Sequence, residues 1–271
     1  MKSLFSRRAV LASGLLALTL SLSSFTVQAQ TTTIKVGATA VPHSEILAEI
    51  QPMLEAQGIK MEIIEFSDYV LPNRTLQDKE LDANFFQHKP YLDAFNANHG
   101  TQLVVAHQGA IHIEPFGAYS KKITSIDELR MGAVIALPND PSNGARALLL
   151  LHNNGVITLK DPTNLLSTPL DLAENPKNIE FIEMNAPQLP RIVGEVDLAL
   201  INTNFALQGG LNPLEDAIII EGEDSPYANV VATREDNANS VAIAKLIEAL
   251  RSEQSRKFII EHYKGAITPV F

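Results

Sequence analysis

Residues 34–66 read IKVGATAVPHSEILAEIQPMLEAQGIKMEIIEF. The first five of these residues form an apolar-rich run that predicts a β-strand over Ile34 to Ala38. From Glu45 to Leu54 the apolar residues recur at the spacing of an amphipathic helix, and Gly58 suits the end of that helix. Met61 to Phe66 predicts a second strand. This order of strand, helix and strand is typical of an α/β fold.

The same alternation continues to the end of the chain. Further strands are predicted at 83–86, 103–106, 132–137, 179–184, 198–201, 217–220 and 230–232. Further helices are predicted at 89–98, 125–129, 142–153, 240–250 and 255–263. Repeated β-α-β units of this kind predict mostly parallel sheets with helices on both faces.

The pattern restarts after Ser120, which indicates two α/β lobes. The segments Phe116 to Tyr119 and Tyr227 to Val231 lie at the edges of the middle part of the chain, and we interpret them as crossovers. The predicted fold class is therefore α/β, a two-lobed periplasmic-binding-protein clamshell with mostly parallel sheets and two crossover hinge strands. Lobe 1 is predicted to comprise residues 30–115 and 230–271, and lobe 2 residues 116–229.

Residues 1–29 predict a secretory signal peptide. Lys2, Arg7 and Arg8 form a basic head, an apolar run follows, and Val27 to Ala29 fits a small-residue cleavage site. The apolar run is too short for a comfortable membrane span. The two adjacent arginines fit either general secretory or twin-arginine export. We therefore expect a periplasmic protein that is soluble after cleavage near Ala29.

The composition excludes several kinds of chemistry. The chain has 271 residues and no cysteine, so it offers no disulfide, no zinc thiolate site and no lipid-carrying thiol. A net charge of −10 without a basic cluster disfavours binding to nucleic acid. Phosphate-binding loops, nucleophile elbows and His-Glu-x-x-His zinc motifs do not occur. We expect no catalytic residues, no cofactor, no metal site and no direct lipid anchor.

Two histidines leave a weak alternative to that expectation. His107 and His112 lie five residues apart at the end of a predicted strand. Such spacing brings two imidazoles near each other, which a metal ion requires. A histidine at a strand end is more often simply hydrogen-bonded, and we favour that interpretation.

Aromatic and polar side chains follow the predicted strand at 83–86. Phe85, Phe86, His88 and Tyr91 cluster where this strand ends and a helix begins. Ligands of α/β sheets bind beside the carboxyl ends of strands, so the cluster indicates the wall of an apolar pocket. Core packing is the alternative. Because strand residues alternate between faces, we expect one of the two phenylalanines to face a cleft.

A third segment, Pro138 to Arg146, reads PNDPSNGAR and joins a strand to a helix. We expect Ser142 or Asn143 to cap this helix. Arg146 lies in the first turn, where a cation opposes the helix dipole, so it suits pairing with a carboxylate. A solvated surface arginine is the alternative. Asn202 follows one predicted strand and suits either ligand binding or capping of the next helix. Asn229 precedes another predicted strand, where a plain turn is the favoured alternative to exposure at the cleft.

Together these segments resemble the NlpA/MetQ family, the methionine-binding components of ABC importers. The matching segments cover nearly the whole mature chain in the family's order. They are FSDYVLP (66–72), FQHKPYL (86–92), YSKK (119–122), PNDPSN (138–143) with Arg146, ENPKN (174–178), APQLPR (186–191), INTN (201–204), and SPYAN (225–229) with TREDN (233–237).

The resemblance implies a clamshell that binds methionine, L- and possibly D-, between its lobes and delivers it to a membrane ABC permease and its ATPase. Arg146 is then expected to bind the methionine carboxylate. Asn202 and Asn229 are expected to hold the polar end of the ligand. The residues expected to line the thioether pocket are Tyr69, Phe86, His88 and Tyr91.

Alternatives remain open at this point. One alternative is that the ligand is another amino acid or a methionine-containing dipeptide. Another is that the clamshell senses a ligand for a membrane receptor. An enzyme on the same two-lobed fold is a further alternative. The chain departs from the family in lacking the lipid-bearing cysteine and in carrying Phe85 where the family often has a small residue. His112 and Glu114, near the cleft, are expected to influence ligand preference.

Overall fold

The computed structural model describes residues 31–222 and 225–271. The predicted signal peptide at 1–29 therefore lies outside the described residues. Among the helices of the described ranges, none is both long and apolar enough to cross a membrane.

The secondary structure follows the predicted alternation with modest shifts at the ends of elements. The strands are β1 (Thr32–Thr39), β2 (Ile59–Phe66), β3 (Ala83–His88), β4 (Leu103–Ile113), β5 (Gly117–Tyr119), β6 (Val134–Pro138), β7 (Thr158–Leu159), β8 (Leu172–Glu174), β9 (Glu180–Met184), β10 (Leu198–Ile201), β11 (Ala217–Ile220), β12 (Ala228–Arg234) and β13 (Thr268–Pro269). The α-helices are α1 (Glu45–Glu55), α2 (Leu71–Gln77), α3 (Lys89–His99), α4 (Pro141–Asn153), α5 (Thr203–Gln208), α6 (Pro213–Asp216), α7 (Val241–Leu250) and α8 (Glu253–Tyr263).

Two large sheets carry the fold. The first has the order β13-β4-β12-β3-β1-β2 and the second the order β11-β5-β10-β6-β9. Strands β2, β1 and β3 are parallel, as are β10, β6 and β9. The remaining pairs in both sheets are antiparallel. The sheets are thus mixed rather than mostly parallel as predicted, because the strands that flank the crossovers pair antiparallel with their neighbours.

The chain passes from one sheet to the other twice within the described residues. Strand β4 ends at Ile113 in the first sheet, and β5 begins at Gly117 in the second. Strand β11 ends at Ile220 in the second sheet, and β12 begins at Ala228 in the first. The first of these connections is the first crossover, and the other is the second crossover. The architecture is the predicted two-lobed α/β clamshell.

Each sheet has its own apolar core. The first sheet packs against α1, α7 and α8 through buried residues such as Val36, Ile50 and Ile259. The second sheet packs against α4 through a separate cluster that includes Leu148. Burying one such side chain contributes roughly 1.5–3 kcal/mol. Each lobe is thereby stabilised by its own interior.

The two phenylalanines of β3 have different surroundings. Phe85 is fully buried in the core of the first sheet, whereas Phe86 joins an aromatic cluster with Tyr69 and Tyr91. Successive side chains of a strand point to opposite faces, which explains the separation. Phe86 is therefore the phenylalanine that faces the cleft, and Phe85 contributes to core packing.

Two helix starts fix the local geometry of the cleft. His88 caps α3 by accepting a hydrogen bond from the backbone N–H of Tyr91 at 3.1 Å. Helix α4 is capped by Asp140, which accepts the backbone N–H of Asn143 at 2.9 Å. The expectation that Ser142 or Asn143 caps α4 is wrong, because α4 begins at Pro141 and Asp140 therefore occupies the cap position.

Candidate ligand-binding site

A narrow cavity, with a volume of about 20 Å³, lies where residues from both sheets meet. Its lining residues are Tyr69, Phe86, Gln87, His88, Tyr91, Glu114, Asn143, Arg146, Asn202, Thr203, Asn204 and Asn229. The set contains every residue that the sequence analysis places at the ligand. The role of these residues in ligand binding stays a prediction.

Aromatic rings form one wall of the cavity. The ring centroid of Tyr69 lies 5.8 Å from that of Phe86 and 5.7 Å from that of Tyr91. The hydroxyl of Tyr91 donates to the carbonyl of Tyr69 at 2.8 Å, and the hydroxyl of Tyr69 donates to Asn204 Oδ1 at 2.6 Å. The polar groups of both tyrosines are thus satisfied within the protein. A wall of aromatic rings suits an apolar or thioether chain.

His88 links the two lobes as a neutral imidazole. Its Nδ1 accepts the N–H of Tyr91, so its proton belongs on Nε2, which donates to Asn143 Oδ1 at 3.1 Å. Burial, together with the nearby charge of Arg146, lowers the pKa of His88 to about 3. This side chain is therefore uncharged at neutral pH and positions Asn143 of lobe 2 against lobe 1.

Two side-chain amides offer free polar atoms to the cavity. Asn202 Nδ2 donates to Asn143 Oδ1 at 2.8 Å, which fixes the orientation of the Asn202 amide. Asn202 Oδ1 is then buried without a hydrogen-bond partner among the described residues, and the same holds for Asn204 Nδ2. Buried polar groups are nearly always hydrogen-bonded in folded proteins. One free acceptor and one free donor at the cavity thus point to a polar ligand.

Arg146 is buried, with 3% of its surface exposed, so the alternative of a solvated arginine is wrong. Its Nε donates to Glu221 Oε1 at 3.0 Å, and its Nη2 donates to Glu221 Oε2. Nη2 also donates to the carbonyl of Glu114 at 2.8 Å. The bidentate fork expected for a ligand carboxylate is thus occupied by Glu221, a residue that the sequence analysis missed.

Glu114 places a second charge at the cavity, with 5% of its surface exposed. Its Oε1 accepts from His112 Nε2 at 2.8 Å, and its Oε2 accepts from the backbone N–H of Asn204 at 3.0 Å. Burial raises the pKa of Glu114, but the charges and hydrogen bonds of His43, His112 and Arg146 outweigh it and leave this pKa below its ordinary value. The carboxylate is therefore ionised.

His43 orients Asn229, the last of the predicted ligand residues. Its Nε2 lies 3.0 Å from Asn229 Oδ1 and 3.1 Å from Glu114 Oε1, while its Nδ1 lies 2.7 Å from Thr39 Oγ1. The Thr39 hydroxyl donates to Nδ1, so the ring proton of His43 lies on Nε2. Asn229 Oδ1 accepts from this N–H, and the amide N–H groups of Asn229 stay available. Burial lowers the pKa of His43 to about 4 despite the neighbouring Glu114.

The histidine pair considered from the sequence does not form a metal site. His107 is exposed, whereas His112 is buried and bonded to Glu114. A different group, His43, His112 and Glu114, brings its ligand atoms within 4.8 Å of one another. The hydrogen bonds between these three side chains account for their spacing without an ion.

Two buried neutral histidines make stability depend on pH. His43 and His88 have pKa values lowered to about 4 and about 3, against 6.5 in the unfolded chain. Below pH 6.5 the unfolded state therefore binds more protons, and stability falls as the pH falls towards the folded values. At 1.36 kcal/mol per pH unit, each histidine removes roughly 2 kcal/mol of unfolding free energy between pH 7 and pH 5.

Urea unfolding at these two pH values measures the effect. His107→Gln, at an exposed position, is the matched control and should keep the wild-type pH dependence, whereas His88→Gln should lose about half of it. A free energy of unfolding that is the same at both pH values would contradict the neutral state assigned to these imidazoles.

Comparison with known proteins identifies the family. The NlpA lipoprotein family model matches residues 34–271. The chain is 44% identical over 224 residues to the D-methionine-binding lipoprotein MetQ of Escherichia coli (strain K12), which is 82% of each chain. A nutrient binding protein from Burkholderia cenocepacia bound to methionine has a TM-score of 0.85 at 45% identity, covering 88% of this chain and 100% of its own. An ABC transporter, periplasmic substrate-binding protein from Coxiella burnetii has a TM-score of 0.83 at 44% identity, with the same coverages. The chain therefore belongs to the NlpA lipoprotein family.

Proposed function

We propose that this chain is an extracytoplasmic solute-binding protein that delivers methionine to an ABC importer. The observation that carries the proposal is a buried cavity that combines an aromatic wall with an ionised carboxylate and a guanidinium. A zwitterion with an unbranched thioether chain complements all three features. The names of the relatives agree, since one is D-methionine-binding and another is bound to methionine.

We assign the polar end of methionine to the two charged residues of the cavity, Arg146 and Glu114. Arg146 binds the α-carboxylate, and the amide groups of Asn202 and Asn229 hold the polar atoms next to it. Glu114, absent from the sequence-based set, faces the α-ammonium group, because its carboxylate is ionised and lines the cavity. The free acceptor Asn202 Oδ1 supplies a further partner for the ammonium group. The carboxylate and the ammonium group are bonded to the same carbon, so pairing each with an opposite charge fixes the orientation of the polar end.

The thioether chain of methionine lies against the aromatic wall. Tyr69, Phe86 and Tyr91 supply aromatic rings, and His88 supplies an uncharged imidazole. A polarisable sulfur packs favourably against such rings.

The division into lobes follows the sheets. We assign residues 30–115 with 230–271 to lobe 1 and residues 116–229 to lobe 2, with the two crossovers as the hinge. Because the cavity takes side chains from both lobes, ligand binding favours their closure. The closed clamshell is the form that a membrane ABC permease and its ATPase would recognise.

The chain acts in the periplasm, and its role is binding and release without catalysis. The E. coli relative is named a lipoprotein, whereas this sequence contains no cysteine to carry a lipid. The mature protein is accordingly assigned to the soluble periplasmic fraction. Cell fractionation without detergent tests this assignment, and recovery in the membrane fraction alone would contradict it.

Calorimetric titration tests the proposed ligand. The mature chain, Gln30 to Phe271, is unfolded and refolded to remove carried-over ligand and is then titrated with L-methionine, D-methionine, other amino acids and a methionine dipeptide. We expect a Kd for methionine below about 1 μM, equivalent to more than about 8 kcal/mol of binding free energy.

Each other outcome has a definite meaning. Binding of the dipeptide or of another amino acid alone would keep the importer function and replace the substrate. Folded protein that binds none of these ligands would overturn the proposal in favour of a sensor or an enzyme.

A further inference from the structure

Glu221 is anchored where the two crossovers meet. Its backbone N–H donates to the carbonyl of Phe116 at 2.8 Å. Its carboxylate accepts from the N–H of Phe116 at 3.4 Å and from Ser225 Oγ at 3.2 Å. These bonds hold the carboxylate of Glu221 independently of Arg146.

Arg146 contacts both crossovers at the same place. Its Nη2 donates to the carbonyl of Glu114 in the first crossover, and its fork pairs with Glu221 in the second. The guanidinium carbon also lies 5.2 Å from the ring centroid of Phe116 and 4.2 Å from that of Tyr227. Ion pairing and cation–π contacts from two segments thus fix one guanidinium.

The pairing determines which nitrogen a ligand can reach. Glu221 occupies Nε and one hydrogen of Nη2, and the carbonyl of Glu114 occupies the other hydrogen of Nη2. Nη1 donates to none of the described residues, and Arg146 lines the cavity. Nη1 is therefore the donor that remains for a ligand carboxylate.

We propose that Glu221 is a positioning residue that holds Arg146 against both crossovers, so that Nη1 faces the ligand and selects a free α-carboxylate. This inference rests on the proposed function. A competing role, in which Glu221 displaces the ligand carboxylate from Arg146, requires Glu221 to leave when ligand enters. Its bonds to Phe116 and Ser225 oppose such a movement.

Calorimetry with two ligands tests the proposal. The carboxylate of L-methionine is expected to accept from Nη1 of Arg146, whereas L-methioninamide carries a neutral amide in place of the carboxylate. In Glu221→Gln only one side-chain oxygen remains to accept from Arg146, so the bidentate pair is lost and the guanidinium loses its fixed orientation. We expect methionine affinity to fall about tenfold or more, and methioninamide affinity to change less than about threefold, since only the former uses a charge-assisted bond.

The controls separate positioning from folding. Glu221→Ala should give the same selective loss, and Glu215→Gln, an exposed residue of the same lobe, should bind both ligands as wild type does. Thermal unfolding of each variant confirms that it is folded.

Four results would overturn the assignment of Glu221. Equal losses for both ligands would make Glu221 a structural residue. Tighter methionine binding by Glu221→Gln would establish competition instead, and unchanged binding would remove the residue from any role at the site. Wild-type protein that binds neither ligand would overturn the proposed function itself, and the role of Glu221 with it.

Discussion

Replacing Arg146 with alanine is expected to weaken methionine binding about 100-fold or more, equivalent to about 3 kcal/mol, the size of effect seen when one partner of a buried charge pair is removed. The guanidinium is the cation that lines the cavity beside the ionised Glu114. Its loss leaves the ligand carboxylate without a charged donor in a site from which water is largely excluded.

The substitution also leaves Glu221 without its cation, so folding must be measured beside affinity. Removing the cation that pairs with this partly buried carboxylate is expected to destabilise the fold, and thermal unfolding reports the size of that effect. Arg191→Ala, at an exposed position of lobe 2, is the matched control and should keep wild-type affinity. Folded Arg146→Ala that binds methionine as wild type does would remove Arg146 from the site.

Local signals predicted most of the fold and much of the candidate site. The strand β10, from Leu198 to Ile201, begins and ends where the apolar run does. Gly100 caps the end of helix α3 with a φ of 66°, a conformation that favours glycine, close to the predicted helix end at 98. The polar and aromatic residues at strand ends converge on one cavity because the ends of neighbouring strands lie together.

Interactions between distant segments could not be predicted in this way. Arg146 and Glu221 are 75 residues apart, and nothing in the sequence near either residue indicates that they form a pair. Whether Arg146 was buried was equally undecided, since its first-turn position suits a surface side chain too. Strand direction was missed for the same reason: periodicity marks a strand but does not say which neighbour it pairs with.

Glu114 illustrates a signal that was present but ambiguous. The sequence places this residue near the cleft, yet a lone glutamate two residues after a histidine does not indicate a binding site by itself. Its role depends on burial and on His43, which lies far away in the sequence and meets Glu114 at 3.1 Å. Only the folded arrangement places an ionised carboxylate in the same cavity as Arg146.

Glu114→Gln is therefore expected to lower methionine affinity about 30- to 100-fold, equivalent to about 2–3 kcal/mol, because a buried hydrogen bond to a charged group is lost. The effect should be specific for the ligand's ammonium group. The analogue 4-(methylsulfanyl)butanoate keeps the thioether and the carboxylate but lacks that group. Its affinity should change less than about threefold, since it has no ammonium group for Glu114 to pair with.

Comparing the two ligands distinguishes direct recognition from support of the site. Glu114 also bonds to His112 and to the backbone of Asn204, so a purely structural role would weaken both ligands equally. Glu80→Gln, exposed on lobe 1, is the control for loss of one carboxylate charge. An equal loss for both ligands, or folded Glu114→Gln with wild-type methionine affinity, would show that the ammonium group is held elsewhere. A selective loss would place the ammonium group and the carboxylate of one ligand on opposite charges, Glu114 in the first crossover and Arg146 on α4, so that a single amino acid would bridge the two lobes.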